Sequence, residues 1–223
     1  VKRTSSTGHG DLTASLVLIV PLFLAYEIGV LFAGDVNGAD VVTRAVYGAL
    51  GRTTYLLVNA AIAIGFLVWL RRDQRWTTLR LDVAAPVILE AAIYALTLGA
   101  LVSLVLDRIL GLQLGAADSI VNALGAGVHE ELVFRLGLFA GLVAILSRTS
   151  LDPRLAVAVA LVASAIVFSA VHHAGPFGDP FTTRTFAFRC LAGVVFGLVF
   201  WFRSLAHAVY AHAFYDMLVY WRG

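Results

Sequence analysis

Seven long apolar runs constrain this chain more than any other feature, at residues 12–33, 54–70, 84–106, 120–146, 155–173, 186–202 and 205–221. Each run is continuous rather than alternating, which argues for helices and against strands. A bilayer crossing needs about 20 mostly apolar residues. The runs therefore predict an all-α, polytopic transmembrane bundle of about seven spans, forming one integral membrane domain over residues 1–223 with no repeat and no internal boundary. The second run and the last two are short, and need an upright path or a thin bilayer. The first, Leu12 to Phe32, is long enough to span and reads as a membrane helix rather than a cleaved leader. Residues 107–122 fit either a loop or a helix lying at the interface. Only 13% of the residues are charged, against about 25% in soluble domains. So few charges cannot coat a soluble surface of this size.

The same scarcity excludes several functions. The formal net charge is +2 and no Lys/Arg run is interleaved with aromatics, so nucleic acid is not an expected partner. Cys190 is the lone cysteine, which leaves no internal disulfide and no cysteine metal site. Loop Lys/Arg bias sets the orientation. With the N-terminus cytoplasmic, Lys2, Arg3, Arg71, Arg72, Arg75, Arg80, Arg148, Arg154 and Arg203 fall inside. Arg44, Arg52, Arg108, Arg184 and Arg222 fall outside. Trp69 and Trp76 flank the basic cluster at 71–75 as interface anchors.

Ionisable residues inside a membrane are costly, so they need partners or a purpose. Three patches stand out. Glu130, Glu131 and Arg135 lie in the fourth run. Glu131 and Arg135 are four apart and share a helix face, so a structural ion pair accounts for both. Glu130 lies about 100° round the helix and has no such account, and a carboxyl buried without a cation suits a general acid or base. Phe168 and His172 end the fifth run one turn apart, with His173 next. A single histidine there is more simply a cap or an interface residue; two beside a glutamate-bearing helix weaken that reading. His212 and Asp216 lie four apart in the seventh run. An Asp can hold an imidazole in one tautomer, or the pair can simply tie two helices together. His207 is off that face and is left out of the site. In this orientation the patches line one cavity in the outer half of the membrane.

Glu-Glu-x-x-x-Arg (130, 131, 135), Phe-x-x-x-His (168, 172) and His-x-x-x-Asp (212, 216) resemble, in order and on late helices, the three motifs of the CPBP family. That family groups type II CAAX prenyl endopeptidases with bacteriocin-processing and immunity proteins. Arg189, Gly193 and Gly197 resemble the family's Arg-x-x-x-Gly-x-x-x-Gly stretch. The resemblance covers about residues 120–220 and makes 120–220 the motif-bearing core. It implies a glutamate-type intramembrane endopeptidase without metal or other cofactor. Glu130 and His172 would activate water, and His212 and Asp216 would stabilise the oxyanion. Glu131 and Arg135 would hold the motif helix, with Phe168 and Arg189 in support. The last motif position is often Asn. Asp216 cannot donate a hydrogen bond when ionised, so either it is protonated or it orients His212; the second is preferred here. The implied partners are the bilayer and a membrane-anchored protein or lipidated peptide substrate. Outward orientation adds the expectation of a bacterial cell-membrane protease acting on C-terminal tails, such as the myxosortase-like group.

Two other readings stay open. No His-Glu-x-x-His is present, yet Glu130, His172 and His212 could form a three-ligand zinc site. Alternatively the chain is a non-enzymatic immunity or scaffold protein, or a proton-coupled transporter whose path would include Glu27 and Glu90.

Overall fold

The computed structural model describes residues 12–32, 41–72, 81–106, 117–175 and 178–222. Among the described residues there is no strand. The elements are α1 (Leu12–Phe32), α2 (Val41–Arg72), α3 (Leu81–Leu106), α4 (Ala117–Glu131), a π-helix (Leu132–Phe139), α5 (Ala140–Leu146), α6 (Pro153–Val171), α7 (Thr183–Phe202) and α8 (Leu205–Arg222). The expected all-α membrane bundle is what forms. Lys2, Arg3, Arg75, Trp76, Arg80 and Arg108 lie outside the described residues, as do 107–116 of the ambiguous segment. Its last residues, from Ala117, open α4.

The helices depart from the expected runs in three ways. α2 starts well before residue 54, because ten further residues coil ahead of a break at Gly51. Gly51 has φ 76°, a conformation that glycine adopts at little steric cost. The fourth run is not one α-helix. It passes into a π-helix directly after Glu131 and returns to α at Ala140, a distortion common at functional sites. Third, among the described residues five helices are long and apolar enough to cross a membrane, within α1, α2, α3, α6 and α7. The α4–π–α5 rod and α8 are outside that set, and they are the rods that carry Glu130, Glu131, Arg135, His212 and Asp216.

α8 nevertheless sits at the centre. It packs against α1, α3, α4 and α7, and Leu205, Ala206, Ala208, Val209, Ala211 and Ala213 are fully buried. Every residue from 205 to 213 is buried, so this half of the helix is enclosed on all sides. Small residues let its neighbours approach closely, which is how membrane helices gain packing energy. The tightest approach is at Gly127 on α4. A Cβ there would lie 2.8 Å from Ala213 Cβ, 2.9 Å from Ala213 N and 2.9 Å from Val209 O. Backbone thus meets backbone one turn before Glu130. The Tyr210 hydroxyl adds a cross-helix bond by donating to the Leu18 carbonyl at 2.9 Å.

α6 and α7 pack antiparallel in a register set by two glycines. A Cβ on Gly193 would meet Ala165 at 3.1 Å and one on Gly197 would meet Leu161 at 2.4 Å. The Ser169 hydroxyl donates to the Phe186 carbonyl at 2.8 Å, continuing the same register.

Candidate active site

The close α4–α8 crossing brings the first and third motifs together. Glu130 and Glu131 end α4, both buried, and the face that Gly127 lays on α8 points the second carboxylate at His212. Glu131 Oε1 lies 2.8 Å from His212 Nδ1. Its other oxygen is 3.0 Å from Arg135 Nε, so the expected ion pair is present. Arg135 is fully buried. Its guanidinium carbon stands 4.7 Å from the Phe168 ring centroid and 5.8 Å from that of Phe196, a cation–π arrangement that partly replaces hydration.

Glu130 faces two imidazoles from different helices. Its Oε1 is 3.6 Å from His172 Nε2 and its Oε2 is 3.9 Å from His212 Nε2. His172 caps the end of α6, and its Nδ1 is 2.7 Å from the Phe168 carbonyl. A carbonyl only accepts, so this nitrogen carries a proton, and Nε2 is the nitrogen that faces Glu130. Phe168 also meets His172 edge to face at 4.8 Å between centroids, and Phe134 at 5.2 Å. The second motif therefore builds a wall on which both His172 and Arg135 rest.

Asp216 lies 3.5 Å from His212, on the Nε2 side. Asp216 is expected from the sequence to orient His212; here it stands by Nε2, and Glu131 occupies Nδ1. The reason is the crossing: Asp216 is one turn along the same helix, whereas Glu131 comes head-on from α4. Sequence reasoning did not single out Phe196, which stacks on His212 at 4.5 Å with 16° between planes. It is one more aromatic in an aromatic-rich run, and only its place between Gly193 and Gly197 on the close-packed face of α7 marks it.

Arg189 is not drawn into the cluster. It pairs with Asp179, beyond the end of α6. His129 turns away, its ring 5.0 Å from Tyr26 on α1, and Glu27 lies near it beside Asn59. Glu90 belongs to a separate group with Tyr94, Arg203 and His207. Among the described residues, no group of three or more His, Cys, Asp or Glu side chains is gathered as a metal site.

In chemical terms, one enclosed carboxylate stands between two imidazole nitrogens, and a second carboxylate, itself paired with a buried arginine, orients one of those rings. Such a set can move protons to and from a small reactant and can donate to a developing negative charge. No curated protein and no solved structure matches the chain. Residues 112–218 match the family model described as type II CAAX prenyl endopeptidase Rce1-like. That span contains all three motifs and agrees with the family resemblance they carry.

Proposed function

Residues 112–218 being Rce1-like, of a family of membrane proteases, we propose that this chain hydrolyses a peptide bond of a membrane-associated protein with water activated by Glu130 and His172. The observation that carries the reading is Glu130 itself: a carboxylate 2% exposed, with an imidazole Nε2 on each side at 3.6 and 3.9 Å. Those separations are long for direct hydrogen bonds and suit groups that hold one water between them.

In this mechanism the water loses a proton to the Glu130–His172 pair as its oxygen attacks the carbonyl carbon. The C=O π electrons move onto oxygen. His212 then donates from Nε2 to that oxyanion. Glu131 accepts from Nδ1, so the Nε2 proton belongs to the imidazolium form, and Glu130, Glu131 and Asp216 surround that form with countercharge. Collapse of the tetrahedral intermediate breaks the C–N bond, and the proton held by Glu130 and His172 passes to the leaving amine. The chemistry needs no metal. A metal-dependent version would use Glu130, His172 and His212 as ligands, and full activity after dialysis against a strong chelator removes it.

The substrate reading extends the same proposal: a C-terminal tail of a membrane-anchored or lipidated protein, cut near the outer face of a bacterial cell membrane. Support for the side comes from the Arg71–Arg72 end of α2 and from Arg148 and Arg154, assigned to the cytoplasm by the loop charge rule. A reporter fused after Gly223 that reads cytoplasmic overturns that side. For the activity, wild-type and Glu130→Gln proteins are compared in cells by mapping membrane-protein C-termini. We expect full-length tails to persist only with the variant, and purified variant to lose about 10²–10⁴-fold in kcat. Unchanged tail processing by a folded Glu130→Gln protein refutes the peptidase.

A further inference from the structure

Arg189 holds a half-used guanidinium fork beside the site. The α6–α7 register that sets Gly197 against Leu161 and Gly193 against Ala165 puts Arg189 level with Ser169, one turn further on. That is within a turn of His172, about 5 Å along the helix axis. One terminal nitrogen of Arg189 pairs with Asp179 Oδ2, while the other, Nη1, is buried with no hydrogen-bond partner. An arginine presents two parallel N–H groups that match both oxygens of a carboxylate. Asp179 takes only one of them and is itself 56% exposed.

A second unsatisfied group touches the same aspartate. His173 Nδ1 lies 3.0 Å from the Asp179 carbonyl, so its proton is on that nitrogen. Its Nε2 is buried and has no partner. The neighbourhood of Asp179 thus holds an arginine and a histidine, each with an unused buried nitrogen, next to catalytic His172. Buried polar atoms in folded proteins are nearly all paired, and an unpaired guanidinium nitrogen beside an exposed carboxylate marks a place where a second carboxylate oxygen can bind.

We infer that Arg189 is the anchor for a carboxylate of the substrate, and that Asp179 occupies it in the free protein as an internal stand-in. The inference rests on the peptidase reading for its substrate, and it deepens that reading by naming a recognised group. The carboxylate would belong to the tail near the scissile bond. It is either the free C-terminus or an acidic side chain, and both present the same planar pair of oxygens.

The experiment is equilibrium binding to the purified full-length protein in detergent, read by anisotropy. Three labelled N-dodecanoyl tetra-alanine probes are used: one ending in carboxylate, one ending in carboxamide, and one ending in a glutamate carboxamide. Wild type should bind the carboxylate probe about ten-fold more tightly than the carboxamide. Asp179→Asn should widen that ratio, because the internal competitor is gone. Arg189→Gln should abolish it. Arg189→Lys, which keeps the ion pair but not the fork, should reduce it in a protein that remains folded. A glutamate carboxamide that binds as well as the free acid assigns the anchor to an acidic side chain; one that binds like the plain amide assigns it to the terminus. Equal binding of acid and amide by wild type, or a preference that survives in Arg189→Gln, overturns the inference. Because binding is read without turnover, acid preference in a protein that cleaves nothing would count against the peptidase alone.

Discussion

Two histidines five residues apart on α8 stand in different surroundings. His207 has its Nδ1 2.7 Å from the Ser204 hydroxyl and its Nε2 3.4 Å from Glu90. Glu90 in turn accepts from Tyr94 and Arg203, and Arg203 is 47% exposed. That group has one carboxylate, one fixed cation and a path to water, and it ties α3 to the α7–α8 turn. His212 sits deeper. Its surroundings hold three carboxyl groups, Glu130, Glu131 and Asp216, against the single fixed cation Arg135. Its Nε2 has no neighbour closer than 3.5 Å among those carboxylates. The contrast teaches that a buried histidine and glutamate alone do not mark a site. What marks it is unspent bonding capacity: the anchor at His207 is satisfied, while the cluster at His212 keeps a nitrogen and a carboxylate free to act.

The largest expected effect tests this contrast directly. His212→Gln should cut kcat by about 10²–10³-fold, the size of losing one oxyanion donor, whereas His207→Gln should leave kcat within a few-fold. Single-turnover cleavage by the two purified variants decides it, and equal losses would erase the distinction. Next in size is Glu131→Gln. It removes the acceptor that orients His212, and it leaves Arg135 buried without its countercharge. Breaking a buried pair costs about 3–5 kcal/mol, so a marked fall in thermal stability should accompany a lower kcat. A variant that is as stable as wild type would show that the Phe168 and Phe196 faces alone support the arginine. Smaller again is Glu90→Gln. A partly exposed ion pair is worth about 1 kcal/mol or less, so a modest fall in the unfolding midpoint with unchanged kcat is expected. A large loss of activity would join the two clusters into one system and favour a proton path over an anchor.

Much of this was legible in the residues. Continuous apolar runs predict membrane helices because lipid leaves backbone groups no other way to pair. Spacings of four predicted that Glu131 could reach Arg135 and that His212 lay beside Asp216, since those contacts obey one helix's geometry. The contact between Glu131 and His212 was not legible. It joins positions 81 apart in sequence and depends on how closely α4 crosses α8, which Gly127 decides. The helix ahead of Gly51 was missed because its apolar content is broken by Arg44 and the glycines. The π-helix after Glu131 leaves no pattern in composition at all. Tertiary crossings, rather than local propensity, set which of two adjacent glutamates meets His212 Nδ1 and which one faces His172.

Within the cluster at His212, Asp216 gives the smallest predicted change, and the most informative one about roles. It lies on the Nε2 side of His212, is 22% exposed, and is not the partner of Nδ1. If its contribution is countercharge for the imidazolium, exchanging it for the neutral isostere removes one of three carboxylates from around the ring. Asp216→Asn keeps the shape and adds an N–H that can itself face the oxyanion, so the two changes partly cancel. The expected kcat is within about three-fold of wild type, well short of the 10²-fold or greater loss that follows when an orienting or oxyanion group is removed. The check is kcat for Asp216→Asn alongside Asp216→Ala, which lacks the added donor and should fall further. If Asp216→Asn instead loses as much as Glu131→Gln, the imidazole is being held from its Nε2 end, and the assignment of Glu131 as the orienting carboxylate fails with it.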